Sequence, residues 1–133
     1  MTQEDRQILL KDLSSRLPYG VRYKSFAWDD KRGEECISAK IYSISPDGYV
    51  RNYHEDESDY IDNVRPYLFP ISSMTDEEQR TLDSMCNGVE MVSRLSGLKM
   101  FDKAFDWLNK NHFDYRGLIE KGLAIDATGL NIY

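Results

Sequence analysis

The sequence lacks any apolar run near the length of a membrane span. A transmembrane helix needs roughly 18 or more consecutive apolar residues, and acids interrupt the first segment, MTQEDRQILLKDL, where a secretory signal would be apolar. We therefore expect a cytoplasmic protein without a membrane segment. Its two cysteines, Cys36 and Cys86, have no C-x-x-C spacing. In a reducing compartment such residues are typically free thiols that pack as small hydrophobes.

Motifs that would indicate an enzyme are also missing. The chain has two histidines, His54 and His112, and no G-x-S-x-G, H-E-x-x-H or glycine-rich phosphate-binding turn. We predict no catalytic residue, no cofactor and no metal site, which favours a non-enzymatic protein. His112 follows a predicted helix, whose C-terminus favours a cation, so we predict a structural role for it.

Basic residues are too few for binding to duplex nucleic acid. The chain has 17 Lys and Arg against 23 Asp and Glu, a formal net charge of -6, whereas neutralising phosphates requires clustered cations. No nucleic-acid partner is therefore predicted. An acidic surface suits solubility, or electrostatic steering towards a basic protein partner.

The composition is that of one folded domain. The 133 residues are 41% hydrophobic, 30% charged and 12% aromatic, and no repeat or Gly/Ser-rich linker divides them, so we predict a single domain, residues 1–133. We expect an α+β fold, a three-stranded antiparallel meander flanked by an N-terminal helix and two C-terminal helices.

Local signals place these elements along the chain. A capping-box pattern at Thr2 and Asp5 predicts a helix over about 3–16. Alternating aromatic and β-branched residues predict strands over about 21–27, 36–44 and 49–53, and Ser45-Pro46-Asp47-Gly48 is typical of a type I turn.

The second half is predicted to be extended, then helical. Two prolines, Pro66 and Pro70, exclude a helix over 64–71. A capping box at Thr75 and Glu78 starts a helix to about residue 95, ended by Gly97, with the buried stripe Leu82, Met85, Val89, Val92 and Leu95. A third helix over about 99–110 should bury one face, made of Phe101, Ala104, Phe105 and Leu108. Short helical turns are expected in the tail, 113–132.

Two segments are candidate interaction surfaces. The acidic stretch 54–62 offers oxygen ligands but lacks the glycine and the distal glutamate of an EF-hand, so we interpret it as a solvated loop whose acids could bind a partner: Glu55, Asp56, Glu57, Asp59 and Asp62. Tyr115 and Arg116 are of residue types enriched in binding hot spots, although a core-and-turn role is the alternative for their segment.

Aromatic residues are frequent in the predicted sheet, namely Tyr19, Tyr23, Phe26, Trp28, Tyr42, Tyr49 and Tyr53. Core packing and cross-strand pairs account for such a set. A stacking or peptide-binding face is the alternative.

Three blocks carry a resemblance to other proteins. They are Val64 to Thr75 (VRPYLFPISSMT) with the acids that follow, Asp106-Trp107-Leu108-Asn109 with 112–119 (HFDYRGLI), and 16–21 (RLPYGV). Together they resemble a family of small uncharacterised proteins from gut anaerobes and their prophages or other mobile elements. The resemblance implies no activity, cofactor or catalytic residue.

The leading hypothesis is a non-enzymatic accessory or protein-interaction domain of a mobile element or prophage, with a protein partner. One alternative is a small hydrolase-like enzyme that uses His54 or His112 with nearby carboxylates. The other is an acidic mimic of nucleic acid that occupies a basic protein. The sequence leaves the oligomeric state open.

Overall fold

A computed structural model describes residues 1–28, 38–53, 58–86 and 94–133. Within these ranges the chain forms three helices and seven strands, so the α+β class is confirmed, whereas the prediction of a three-stranded meander is wrong. The elements are α1 (Gln3–Arg16), β1 (Arg22–Ser25), β2 (Ala39–Ile44), β3 (Tyr49–Asn52), β4 (Ser58–Tyr60), β5 (Val64–Pro70), α2 (Asp76–Cys86), α3 (Arg94–Lys110), β6 (Phe113–Asp114) and β7 (Ile125–Asp126). Among the described helices, none has the length and apolar character needed to cross a membrane.

The sheet is mixed, with strand order β4-β3-β2-β1-β5-β6 and β7 also paired to β5. Strands β1 to β4 form an antiparallel meander, joined at 45–48 by a turn in which Gly48 N donates to Ser45 O at 3.1 Å. Strand β5 is the extended segment that the two prolines predict; it pairs antiparallel with β1 and parallel with β6 and β7. The prediction missed β4, β6 and β7 because each has only two or three residues and depends on its partner strand.

Helix α1 covers one face of the sheet. Its capping box forms as predicted, since Asp5 N donates to Thr2 Oγ1 at 3.0 Å and Thr2 N donates to the Asp5 carboxylate at 3.1 Å. Leu9 and Leu13 are fully buried against the inward-facing side chains of the sheet and the C-terminal segment, namely Val21, Tyr23, Ile41, Val50, Val64, Leu68 and Leu118. The core therefore lies between α1 and this inner face.

Helices α2 and α3 differ from the predicted pair in their bounds. Helix α2 begins at the predicted capping box and is described as far as Cys86, an exposed free thiol rather than a small core residue. Gly97 is buried within α3 and does not end a helix, because packing overrides the weak helix propensity of a single glycine. Val89, Val92 and Cys36 lie outside the described residues.

The tail was predicted as short helical turns; it contains hydrogen-bonded turns, such as the one closed by Lys121 N and Gly117 O at 3.3 Å, and also two short strands that were not predicted. Phe69 pairs with Phe113 and Tyr67 with Ile125, so β6 and β7 follow each other along one edge of β5. Ala127 N also donates to Leu68 O at 2.8 Å. These hydrogen bonds come from a strand far away in the sequence, which local patterns do not reveal.

Candidate functional site

The face of β1 to β4 that points away from α1 is rich in exposed aromatic and cationic side chains. Alternation along each strand separates them from the core, as in β3, where Val50 and Asn52 are buried while Tyr49 and Arg51 are exposed. Its residues, which we call the open face, are Lys24, Phe26, Lys40, Tyr42, Tyr49, Arg51, Tyr53, Ser58 and Tyr60. Tyr42 and Tyr53 are each 59% exposed.

Tyrosines of the open face lie in two cross-strand pairs. Tyr42 and Tyr53 have ring centroids 5.1 Å apart in an edge-to-face arrangement, and Tyr49 and Tyr60 lie 5.4 Å apart. The register between β2 and β3 shifts between Ile41 and Ser43, at Tyr42. Such pairs stabilise the sheet by roughly 0.5–1.5 kcal/mol in addition to the free energy gained by burying their apolar area. The predicted cross-strand aromatic pairs are present, on the solvent side of the sheet.

Cations lie next to these rings. Lys40 Nζ is 5.3 Å from the centroid of Tyr53, and the Arg65 guanidinium is 5.2 Å from that of Phe26, within the range of cation–π attraction. Lys24 is exposed on the neighbouring strand. None of the residues that define the open face is a carboxylate, although the whole chain is acidic.

Asp59, a predicted member of the acidic interaction surface, points inward. It pairs across the sheet with the buried Val50. Its carboxylate accepts hydrogen bonds from the Tyr23 hydroxyl at 2.5 Å and from Trp28 Nε1 at 3.1 Å. Asn52 Nδ2 donates to the same Tyr23 oxygen at 3.1 Å. Asp59 therefore satisfies buried donors in the core.

Asp62, another predicted member, is held by Arg6 of α1. The guanidinium donates through Nε at 2.8 Å and Nη2 at 3.0 Å, one bond to each carboxylate oxygen. These hydrogen bonds lower the pKa of Asp62 because they stabilise its charged form. Glu55, Asp56 and Glu57 lie outside the described residues, as does His54, so only the two engaged acids of that surface are placed.

Tyr115 and Arg116, the second predicted surface, contact each other, and Arg116 also contacts the buried acid Asp12. The Arg116 guanidinium lies 4.7 Å above the Tyr115 ring, and its Nη1 donates to the Tyr115 hydroxyl at 3.1 Å and to Asp12 at 3.5 Å. The Tyr115 hydroxyl donates to Asn109 Oδ1 at 2.9 Å. Both side chains are half-buried and border a cleft of about 620 Å³ between α1 and α3, into which Phe105 also projects. The structure thus gives this pair a packing role, and its docking role stays a prediction.

A fully buried ion pair connects α1 to the C-terminal segment. Asp12 and Arg16 are one helical turn apart, and Arg16 donates to the carboxylate at 2.9 and 3.2 Å and to Phe113 O at 2.6 Å. Burial raises the pKa of Asp12, while the Arg16 charge opposes that shift. Arg16 Nη1 and His112 Nδ1 are buried without a hydrogen-bond partner among the described residues.

His112 is neutral at physiological pH, contrary to the prediction of a cation at the helix C-terminus. It is 8% exposed, has φ of 62° and stacks on Tyr133 with centroids 3.6 Å apart. Burial lowers its pKa to about 4, and the Arg16 charge adds to the shift. The ring borders a cleft of about 430 Å³ that Glu78 and Lys110 also line. In the part of the chain that the structure describes, His112 forms no ion pair or hydrogen bond with a carboxylate, which a hydrolase would use to orient its base.

Comparisons with known proteins add no functional assignment. No protein-family profile, curated protein or solved structure matches the chain. Across residues 1–28, 38–53, 58–86 and 94–133, no group of three or more His, Cys, Asp or Glu side chains is arranged to hold a metal ion. The candidate site therefore depends on geometry alone.

Sequence reasoning missed the cationic component of the open face. From the sequence, no role was assigned to Lys24 and Lys40, and the net charge was used to exclude a nucleic-acid partner. The signal is present in the alternation of A-K-I-Y and Y-V-R-N-Y, which places lysine, arginine and tyrosine on the same side of neighbouring strands.

Proposed function

We propose that the chain is a non-enzymatic protein-interaction domain and that its open face binds an acidic segment of a partner protein. The observation that carries the proposal is the exposure of four tyrosines and at least two lysines on one face of the sheet, without a carboxylate among the residues that define it. In line with the resemblance described above, we further propose an accessory role in a mobile element or prophage.

The aromatic part of the open face supports a protein contact. Tyrosine supplies a large, stiff contact area at low conformational cost and is enriched in interfaces and hot spots. Tyr42 and Tyr53 are each 59% exposed and hold each other through their edge-to-face contact. Because neither ring is needed to fill the core, their burial against a partner would add to binding without weakening the fold.

The charges of the open face indicate the chemistry of the partner. Lys40 is anchored over Tyr53 at 5.3 Å, and Lys24 projects from the adjacent strand. Complementary charge accelerates association and fixes the register of a complex. An acidic peptide segment, with carboxylates near the lysines and its backbone against the tyrosines, fits this pattern.

Single-stranded nucleic acid is the other polyanion that an aromatic and cationic sheet can bind. Two observations favour protein. The chain carries a net charge of -6, which repels an extended polyphosphate. The two rings of each tyrosine pair are inclined to each other at 74° and 55°, so both rings of a pair cannot lie flat as stacking platforms. Nucleic-acid binding is therefore an alternative outcome of the test.

The test uses three tagged proteins: the wild type, Lys24→Glu/Lys40→Glu, and the matched control Lys11→Glu/Lys121→Glu, which makes the same charge change outside the open face. Each captures partners from lysate of the source cells at low and moderate salt, and mass spectrometry identifies them. We expect an acidic protein that the wild type and the control retain, that the open-face variant loses, and that moderate salt weakens.

A direct measurement follows with the captured protein. Its acidic segment, made as a peptide, should bind the wild type and lose affinity when Tyr42 or Tyr53 is replaced by serine, while circular dichroism stays unchanged. Equal retention of every partner by the open-face variant would refute the proposal. Tight binding of oligothymidylate, abolished by Lys24→Glu/Lys40→Glu, would show instead that the open face binds single-stranded nucleic acid.

A further inference from the structure

Helix α3 carries a row of large apolar side chains that remain between 43% and 66% exposed in the described chain. This apolar stripe consists of Leu95, Leu98, Phe101 and Phe105, which are 63%, 66%, 43% and 46% exposed. At 100° per residue the four positions fall within roughly 120° of the helix circumference, so they form one continuous band. Bands of this kind on soluble proteins usually mark a contact with another molecule.

The predictions that Leu95, Phe101 and Phe105 are buried were therefore wrong. The buried side of α3 is formed by smaller residues and by Leu108, with Gly97 and Ala104 at its centre. These small residues let α3 approach its neighbours closely. The two phenylalanine rings lie on the solvent side of the helix. The Phe105 ring packs against that of Tyr115, with the ring centroids 5.1 Å apart.

In one arrangement of two copies of the chain, the charged residues beside the stripe of one copy pair with oppositely charged residues of the other. Lys99 and Asp106 lie along one flank of the stripe, Asp102 lies between Leu95 and Leu98 at the edge nearest that flank, and all three are exposed. When two copies of α3 run antiparallel about a two-fold axis between residues 100 and 101, Lys99 of each copy faces Asp102 of the other. In a parallel pairing this flank would instead face the opposite flank of the other copy, so Lys99 and Asp102 would not meet. The symmetry makes each favourable pair occur twice.

The same register also interdigitates the apolar side chains. With a rise of about 1.5 Å per residue, Leu98 of one copy lies between Phe101 and Phe105 of the other, and Leu95 lies beside Phe105 of the other. Hydrophobic and electrostatic complementarity therefore select the same axis. An anionic lipid surface fits less well, because Asp102 and Asp106 would meet the headgroups.

We propose that α3 is a homodimer interface in which the apolar stripes of two copies pack antiparallel, with reciprocal Lys99–Asp102 pairs. This inference is independent of the open face, which lies on the sheet. A single helix pair is a small interface, so we expect a dissociation constant on the order of 10–100 µM.

Analytical ultracentrifugation over a concentration series tests the interface. The mass should rise towards twice the 15.5 kDa of one chain. Leu98→Lys should weaken the dimer about 100-fold, because both copies lose a central apolar contact and bury a charge. The protein should stay folded, because Leu98 is 66% exposed.

A charge exchange tests the partner and the register together. Lys99→Asp should weaken the dimer about tenfold, and the double variant Lys99→Asp/Asp102→Lys should return to within about threefold of the wild type. Lys103→Asp is the matched control, because Lys103 points away from the stripe and its replacement should leave the dimer unchanged. A chain that remains monomeric at every concentration, or a double variant without recovery, would overturn the inference.

Discussion

Replacing His112 by asparagine should reduce the loss in free energy of unfolding that occurs when the pH is lowered from 7 to 5. The residue has φ of 62°, a left-handed conformation in which asparagine is among the most favourable non-glycine residues. His112→Asn therefore keeps the backbone and eliminates the ionisable ring. The variant also loses the stacking on Tyr133, so the comparison concerns how stability changes with pH, not its value at one pH.

The expected effect follows from the shifted pKa. In the folded protein burial lowers the pKa of His112 from 6.5 to about 4, so between these values the unfolded chain binds the proton more tightly. The stability that the neutral ring contributes is present above pH 6.5 and is lost as the pH falls towards 4. Linkage gives a loss of about 2 kcal/mol between pH 7 and pH 5.

Urea unfolding followed by tryptophan fluorescence, at pH 7, 6 and 5 and constant ionic strength, measures this difference. The wild type should lose about 2 kcal/mol more free energy of unfolding than His112→Asn over the interval. Asp12, whose pKa is raised by burial, acts in the opposite direction but is present in both proteins. Parallel pH profiles for the two proteins would refute a buried, neutral imidazole, as would a His112 NMR titration midpoint near 6.5.

Two further variants test the packing beneath the candidate surfaces. Arg16→Met removes the shorter ion pair of the buried Asp12 carboxylate and leaves the Arg116 contact at 3.5 Å. It should cost about 3 kcal/mol in chemical denaturation, the low end for breaking a buried pair; a loss under about 1 kcal/mol would show that the pair is hydrated. Gly48→Ala places a Cβ 3.1 Å from Ile61 Cγ2 at φ of 95°, whereas Gly117→Ala, at φ of 72°, meets no atom within 4 Å. Both substitutions strain the backbone, because alanine disfavours a positive φ. Gly48→Ala should lower the thermal midpoint more than Gly117→Ala, because it also adds a close contact with Ile61.

Local sequence signals predicted the elements that depend on neighbouring residues. The capping boxes at Thr2 and Thr75 and the turn at Gly48 each involve residues three positions apart, so the sequence pattern and the hydrogen bond coincide. Strand β5 was predicted as extended because proline restricts its own backbone and that of the preceding residue.

The candidate surfaces depend on distant residues, and there the sequence was a poor guide. Asp59 was interpreted as a solvated acid because its neighbours in sequence are acidic, yet Tyr23, 36 positions away, donates a hydrogen bond to it. Likewise, helical periodicity placed Phe105 on the same face as Leu108 but could not show which part of that face the rest of the protein covers.

The protein can have an acidic net charge and a cationic open face because successive residues of a strand point to opposite sides of the sheet. On β4 the acid Asp59 turns inward to Tyr23 while Tyr60 turns outward, and on β2 the outward residue is Lys40. Three further acids lie in the first turn of α2, where they interact favourably with the helix dipole. The net charge therefore determines the electrostatic potential far from the protein, whereas a bound partner contacts the charges of one face. An acidic protein with this sheet can bind an acidic segment, provided that the short-range contacts of the lysines and tyrosines exceed the long-range repulsion, and added salt should then weaken binding less than the lysine count alone implies.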